Sequence, residues 1–287
     1  MAELIGFYSV AESQGKKTIS QSFADLLAEN NHKVLYVELD SHRPSVAIST
    51  QITHDTKNVV EYFRQIATTK NFTFESFVLK KEHLLEEAED RHLNRRIKMN
   101  IDDHLDYLIF PLNHEDKDFP TLIDGENAEK ETKELIERLT YEFKSSKYDF
   151  IILNLPNELY SIFGFELIGN CDSLINVLTP SATRLFENKK AKSFLLENEP
   201  SLKAKWNTIL NMVSNAVEDS QYNELINDKP ILIPFDEDRQ ADEFSSKIGS
   251  FVIKERLKLL AERFNILLVD ELPERRNGLR SFLGKRG

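Results

Sequence analysis

The chain has a single cysteine, Cys171, among 287 residues, so no internal disulfide can form and a thiolate zinc site has no second sulfur. No apolar run approaches the ~20 residues needed to cross a bilayer. The first residues lack the basic stretch and apolar core of a secretory leader. These absences point to the cytoplasm. The seven histidines show no metal-ligand spacing, and Asp102-Asp103-His104 reads as a solvated loop. No metal site is expected. Positive charge is in deficit, with 37 Lys and Arg against 48 Asp and Glu and a net charge of −11. A body of that sign repels a phosphate backbone, which argues against non-specific nucleic-acid binding. Neither an internal repeat nor a low-complexity linker divides the chain.

What is present suits a soluble fold. Hydrophobic residues make up 40% and charged residues 30%, enough apolar material for a sizeable core. Leu4 to Val10 reads as a strand and Ala11 to Lys17 as a loop. From Thr18 a helix is expected, with Phe23, Leu26, Leu27 and Ala28 at helical spacing, ending at Asn30-Asn31. Val34 to Leu39 is a near-continuous apolar run, as in a strand covered on both faces. Strand, helix and strand within forty residues make a βαβ unit with a parallel pair.

The alternation continues along the chain. Helices are expected over 58–66, 129–143, 183–196 and 244–264. Strands are expected over 107–110, 150–153, 173–178, 208–213 and 230–233. Residues 68–104 are charged and read as helices and loops without clear bounds. The fold class is therefore α/β, a mostly parallel central sheet with helices on both faces. The helix over 183–196 carries a basic face of Lys189, Lys190 and Lys192, read as solvated.

Between the first strand and the first helix stands Gly15-Lys16-Lys17-Thr18. That is where a phosphate-binding loop would aim backbone N–H groups and a helix N-terminus at an anion. The second strand ends in Glu38-Leu39-Asp40. The strand over 148–153 is followed by Asn154-Leu155-Pro156, the strand after Cys171 closes in Thr179-Pro180, another ends in Leu210-Asn211, and a late turn reads Ile233-Pro234-Phe235-Asp236. In this order, the segments resemble the MinD/ParA branch of P-loop ATPases, with its deviant Walker A loop, Asp-x-Asp strand end, Asp-Thr-Pro Walker B turn, and late Asn and Ile-Pro-Tyr-Asp near the base. Glu38 to Pro44, with Arg43-Pro44-Ser45, also resembles the second Walker motif of capsular tyrosine kinases. The late turn and the missing tyrosine-rich tail are more similar to MinD, ParA and their pilus- and secretion-positioning (TadZ/CpaE-like) relatives.

The resemblance implies residues 1–272 as one P-loop-type domain and residues 273–287 as a tail. It implies an ATP or ADP site at Gly15, Lys16, Lys17, Thr18, Asp40, Asn211 and Pro234, with Asp40 as a water-orienting candidate. It also implies a homodimer formed across the nucleotide face. The departures bear on activity. The family loop reads Gly-Lys-Gly-Gly-x-Gly-Lys-Thr-Thr; here Val10 stands at the first glycine, Ala11 at the signature lysine, and Glu12 and Ser13 at the next two glycines. Glycines permit positive φ and close backbone approach to phosphate, and a carboxylate at Glu12 opposes a polyphosphate. Lys17 stands at the Mg²⁺-binding hydroxyl, Glu38 at the first acid of Asp-x-Asp, and Asn154 at the Walker B acid. Phosphoryl transfer depends on positioning and charge stabilisation. ATPase activity is therefore expected to be weak or absent, with no well-made Mg²⁺ site.

The last fourteen residues reverse the charge, with five cations against Glu274. Leu279, Phe282 and Leu283 fall on one helical face, flanked by Arg276, Arg280 and Lys285. This resembles the short membrane-anchoring helix at the MinD C-terminus, which would lie on an anionic surface. The expectation is a cytoplasmic scaffold, peripheral at the inner face of the cell membrane, acting with protein partners of a membrane-associated machine. An active ATP-dependent switch and a relative of the capsular kinases are the alternatives.

Overall fold

The computed structural model describes residues 1–41, 45–50, 54–88, 90–114, 119–120, 125–214, 216, 218–226, 228–239 and 250–269, and structural statements concern these residues. Seven strands form one sheet: β1 (Glu3–Tyr8), β2 (Val34–Glu38), β3 (Leu105–Leu108), β4 (Phe150–Asn154), β5 (Ser173–Leu178), β6 (Trp206–Val213) and β7 (Ile231–Pro234). Their order is β3-β2-β4-β1-β5-β6-β7, and every neighbouring pair is parallel. The helices are α1 (Lys16–Glu29), α2 (Ser45–Thr50), α3 (Val59–Thr69), α4 (Lys81–Glu87), α5 (Arg91–Asn100), α6 (Ala128–Ser145), α7 (Phe165–Asn170), α8 (Ala182–Asn198), α9 (Leu202–Lys205), α10 (Asp219–Ile226) and α11 (Phe251–Arg263).

Period-two alternation in fully apolar strands explains the two layers. Leu4 and Tyr8 of β1, Leu35 and Val37 of β2, and Ile151 and Leu153 of β4 enter one core, which α3, α6, α7 and α8 cover. Ile5 and Phe7, Val34 and Tyr36, and Phe150 and Ile152 enter the other, beneath α1, α4, α5 and α11. Both faces of the central strands are buried, so the strands read as apolar runs. Helix starts follow local chemistry. The Asn58 side chain accepts from Glu61 N at the head of α3, and Ser250 accepts from Ile253 N at the head of α11.

Most expected elements are present, with shifted ends. The helix expected from Thr18 begins at Lys16. The strand expected over 107–110 runs from Leu105 to Leu108, because Leu105 pairs with Val34 and the polar Asp106 is satisfied by the Tyr148 hydroxyl at 2.7 Å. The charged stretch 68–104 resolves into α4, α5 and a single 3₁₀ turn (Glu75–Phe77). An isolated antiparallel bridge from Leu79 to Tyr107 then covers the β3 edge. Of the helix expected over 244–264, residues 244–249 lie outside the described residues, as do Arg43, Pro44 and the tail at 273–287. No helix among the described residues is long and apolar enough to cross a membrane.

Gly6 marks a close approach between β1 and the end of α7. A Cβ there would lie 2.7 Å from Cys171 Sγ and 2.9 Å from Leu155 Cδ1, so a larger residue would force the sheet and α7 apart. Cys171 is fully buried, its Sγ donates to the Leu167 carbonyl, and burial, aided by the neighbouring Asp172 charge, pushes the thiol up to about 12. The thiolate is the reactive form. Native protein should therefore give no colour with Ellman's reagent at neutral pH, and one thiol per chain should titrate after denaturation; rapid labelling of the native state would contradict this packing.

Candidate functional site

The carboxyl ends of β1, β2, β4, β5 and β6 converge where the connection from β1 to α1 turns. Ser13 has φ 61° and Gly15 φ 85°, so the loop passes twice through the left-handed region. Ser13 stands at an expected glycine and still adopts the glycine-type conformation, at a cost of about 1–3 kcal/mol. Gly15 caps α1 without any side-chain capping bond, which leaves the helix's first N–H groups aimed at this crevice.

The loop is held by its own protein. The Gln14 side chain accepts from Thr179 N at 2.7 Å and from Thr179 Oγ1 at 3.0 Å, while its amide donates to the Glu12 carbonyl at 3.1 Å. Asn211 Nδ2 donates to the Gln14 carbonyl at 2.9 Å. A Cβ on Gly15 would lie 2.2 Å from that same Asn211 Nδ2. The one glycine retained from the motif thus has a packing reason for being there that involves no phosphate. A bulge between Asn211 and Val213 in β6, with Met212 at φ 61°, accompanies this contact.

Lys16, the expected phosphate-binding lysine, is only 5% exposed. Its ammonium donates to Asp40 Oδ2 at 3.1 Å, to Asn157 Oδ1 at 2.7 Å and to the Leu155 carbonyl. Burial, the largest influence, pulls its pKa below the ordinary value, although the Asp40 charge acts the other way. Asp40, the water-orienting candidate, is itself buried against this ammonium. Glu38 is fully buried, and its carboxylate accepts from Val46 N at 3.3 Å and Phe110 N at 3.4 Å. It thereby ties the head of α2 and the exit of β3 to β2.

Asn154 lies opposite Phe7 and Glu38 in the sheet register, fully buried, and neither atom of its amide has a hydrogen-bond partner among the described residues. Mg²⁺ is held by carboxylate, hydroxyl and phosphate oxygens. At the two positions where the sequence resemblance expects an acid and a hydroxyl stand the Asn154 amide and the Lys17 side chain, which are poor donors for that cation. An anion is better matched, because the start of α1 still presents backbone N–H groups. Among the described residues no group of three His, Cys, Asp or Glu side chains is disposed to hold a metal.

The structure thus brings Gly15, Lys16, Asp40 and Asn211 together with Gln14, Asn157 and Thr179. Lys17 and Thr18 occupy the first turn of α1, half-buried. Val10, Ala11 and Glu12 lie along the preceding loop, with Glu12 exposed. Pro234 ends β7, three strands from β1, paired with Val213. Gln14 and Asn157 were not legible as site residues, since a motif's variable position and a loop Asn carry no sequence signal. On α8, Lys190 lies over the Phe186 ring at 4.6 Å, but Lys192 pairs with Asp228 at 3.1 Å and so leaves the solvated basic face.

A parallel α/β sheet with a strand–loop–helix turn of this kind at its centre defines a P-loop NTPase fold. The structural neighbours are ParA and MinD ATPases. A ParA family ATPase from Chlorobium tepidum aligns with TM-score 0.59 at 18% identity, over 90% of this chain and 93% of that one. MinD from Pyrococcus horikoshii, solved with Mg-ADP, aligns with TM-score 0.61 at 16% identity, over 94% of this chain and all of that one. A chain of the MinC:MinD cell division protein complex of Aquifex aeolicus aligns with TM-score 0.63 at 14% identity, over 91% of this chain and 96% of that one. At these identities the likeness establishes the fold. No protein-family model and no curated protein matches the sequence.

The Lys16–Asp40 pair gives a direct test. Removing one partner of a buried pair leaves an uncompensated group and costs about 3–5 kcal/mol, whereas replacing both with apolar residues is often far milder. Lys16→Met and Asp40→Leu should each lower stability in urea unfolding, and the double variant should lose less than the sum. Strict additivity would mean that the two groups do not act as a pair.

Proposed function

We propose that this protein is a non-enzymatic or weakly nucleotide-binding scaffold of the MinD/ParA type, which positions or regulates a membrane-associated assembly of the secretion, pilus or division kind. The observation that carries this reading is the engagement of the Lys16 ammonium by Asp40, Asn157 and the Leu155 carbonyl. A P-loop lysine stabilises charge on transferring phosphate. Before Lys16 could do so, its three internal contacts, the one to Asp40 included, would have to break. The Gln14 and Asn211 bonds hold the loop in the same arrangement, and the Lys17 and Asn154 positions offer Mg²⁺ little.

In this reading ATP or ADP binds weakly, at the start of α1, without efficient hydrolysis. The chain works as a homodimer, with an interface made by protein surface more than by shared nucleotide. Its partners are proteins, as MinC is for MinD in the solved Aquifex complex. It is cytoplasmic and peripheral at the inner membrane face, held there by the basic tail with Arg276, Leu279, Arg280, Phe282, Leu283 and Lys285. The alternative is an active ATP-dependent switch, which the retained loop turn and the Mg-ADP-bound MinD neighbour favour.

Calorimetry separates the two. A ligand at about 100 times its Kd stabilises a fold by about 2.7 kcal/mol, so a working switch would show a clear rise in Tm with MgATP. We expect no such rise, little heat on titration, and phosphate release at background. Tight binding with turnover abolished by Lys16→Ala would establish the switch instead. The membrane contact has its own readout. Co-sedimentation with vesicles of phosphatidylglycerol should fall sharply on deleting residues 275–287, and unchanged pelleting would remove the tail from the account.

A further inference from the structure

Beside the Lys16–Asp40 pair lies an open cavity of about 370 Å³, within the size range of sites that take a ligand or a few side chains. Leu39, Phe119, Pro156 and Phe163 supply its apolar walls, and Asp40 and Glu158 its acids. Tyr160, at 81% exposure, stands at its side. An apolar cavity bordered by carboxylates selects an apolar group that carries a cation. The chain as a whole is acidic, and its C-terminal tail carries the acid-free apolar and cationic run Leu279-Arg280-Ser281-Phe282-Leu283.

The chain's path makes this segment available. The last described residues are pinned beneath β2, where Val269 N donates to Asn30 Oδ1 and His32 Nε2 bonds the Leu267 carbonyl at 2.9 Å. The cavity lies at the other end of the same strand, at Leu39 and Asp40. His32 and Asp40 are eight residues apart, so they are separated by at most ~29 Å; the thirteen residues from Val269 to Phe282 can span ~43 Å, which leaves roughly 14 Å of slack for a path around the sheet edge.

We propose that the tail of this chain docks intramolecularly into this cavity, with Leu279 and Phe282 against the apolar walls and Arg280 facing Glu158. Docking covers Asp40 and gives the tail a site within its own protein. If the tail also contacts a membrane, the two sites compete for the same apolar residues. That consequence rests on the membrane reading; the docking does not.

Cross-linking in the full-length chain tests the contact. Cys171 is buried and stays out of the reaction. Under a mild thiol oxidant, Tyr160→Cys with Ser281→Cys should form an intramolecular disulfide at least tenfold faster than the reference pair Ser193→Cys with Ser281→Cys. Adding Glu158→Arg should slow it several-fold, and further adding Arg280→Glu should restore it, a rescue that general misfolding would not produce. Equal rates for the two pairs, disulfides formed only between molecules, or a rate indifferent to Glu158→Arg would each overturn the proposal.

Discussion

Lys16 opens α1, and its ammonium lies inside the protein. A buried ammonium is tolerated only where an opposite charge and further acceptors replace the water it has lost. The fold supplies all of these at one point. Asp40 comes from the end of β2, and Leu155 and Asn157 come from the segment after β4. Two parts of the chain far from it in sequence are thus bound to the first turn of one helix. The parallel order β2-β4-β1 makes this possible, because it brings their carboxyl ends side by side.

Around that contact the polar groups of the loop and its neighbours bond to the protein itself. Ser13 keeps a left-handed conformation without the glycine that would make it easy. Gly15 makes room for Asn211, and Glu38 serves the backbone of its neighbours. Asn154 is the exception, a buried amide with no partner among the described residues, of the kind that costs about 1–3 kcal/mol when left unsatisfied.

The surroundings of the crevice are asymmetric. On the β5 and β6 side, Gln14 and Asn211 hold the loop closely. On the β2 and β4 side lies the apolar cavity with Asp40 and Glu158 in its lining. A partner segment would therefore find an opening on one side of the lysine and a hydrogen-bonded wall on the other.

The layers of the sheet were readable from the sequence, since the apolar runs at Val34 to Leu39 and Phe150 to Leu153 suit strands covered on both faces. The order of motifs along the chain placed the turn at Gly15 and strand ends at Asp40, Asn154 and Asn211; in the fold Gly15 lies in the β1–α1 turn, Asn154 ends β4 and Asp40 follows β2, whereas Asn211 lies within β6, two residues before its end. Element ends were less legible where a polar residue interrupts a strand, as Asp106 does in β3, because its hydroxyl partner Tyr148 lies 42 residues away. The destination of each site side chain was not legible at all. Local pattern determines which segments become strands and helices, because periodicity is a property of neighbours in sequence. Whether Lys16 faces a phosphate or a carboxylate is decided by residues 24 and 139 positions away, which only the folded sheet brings within bonding distance.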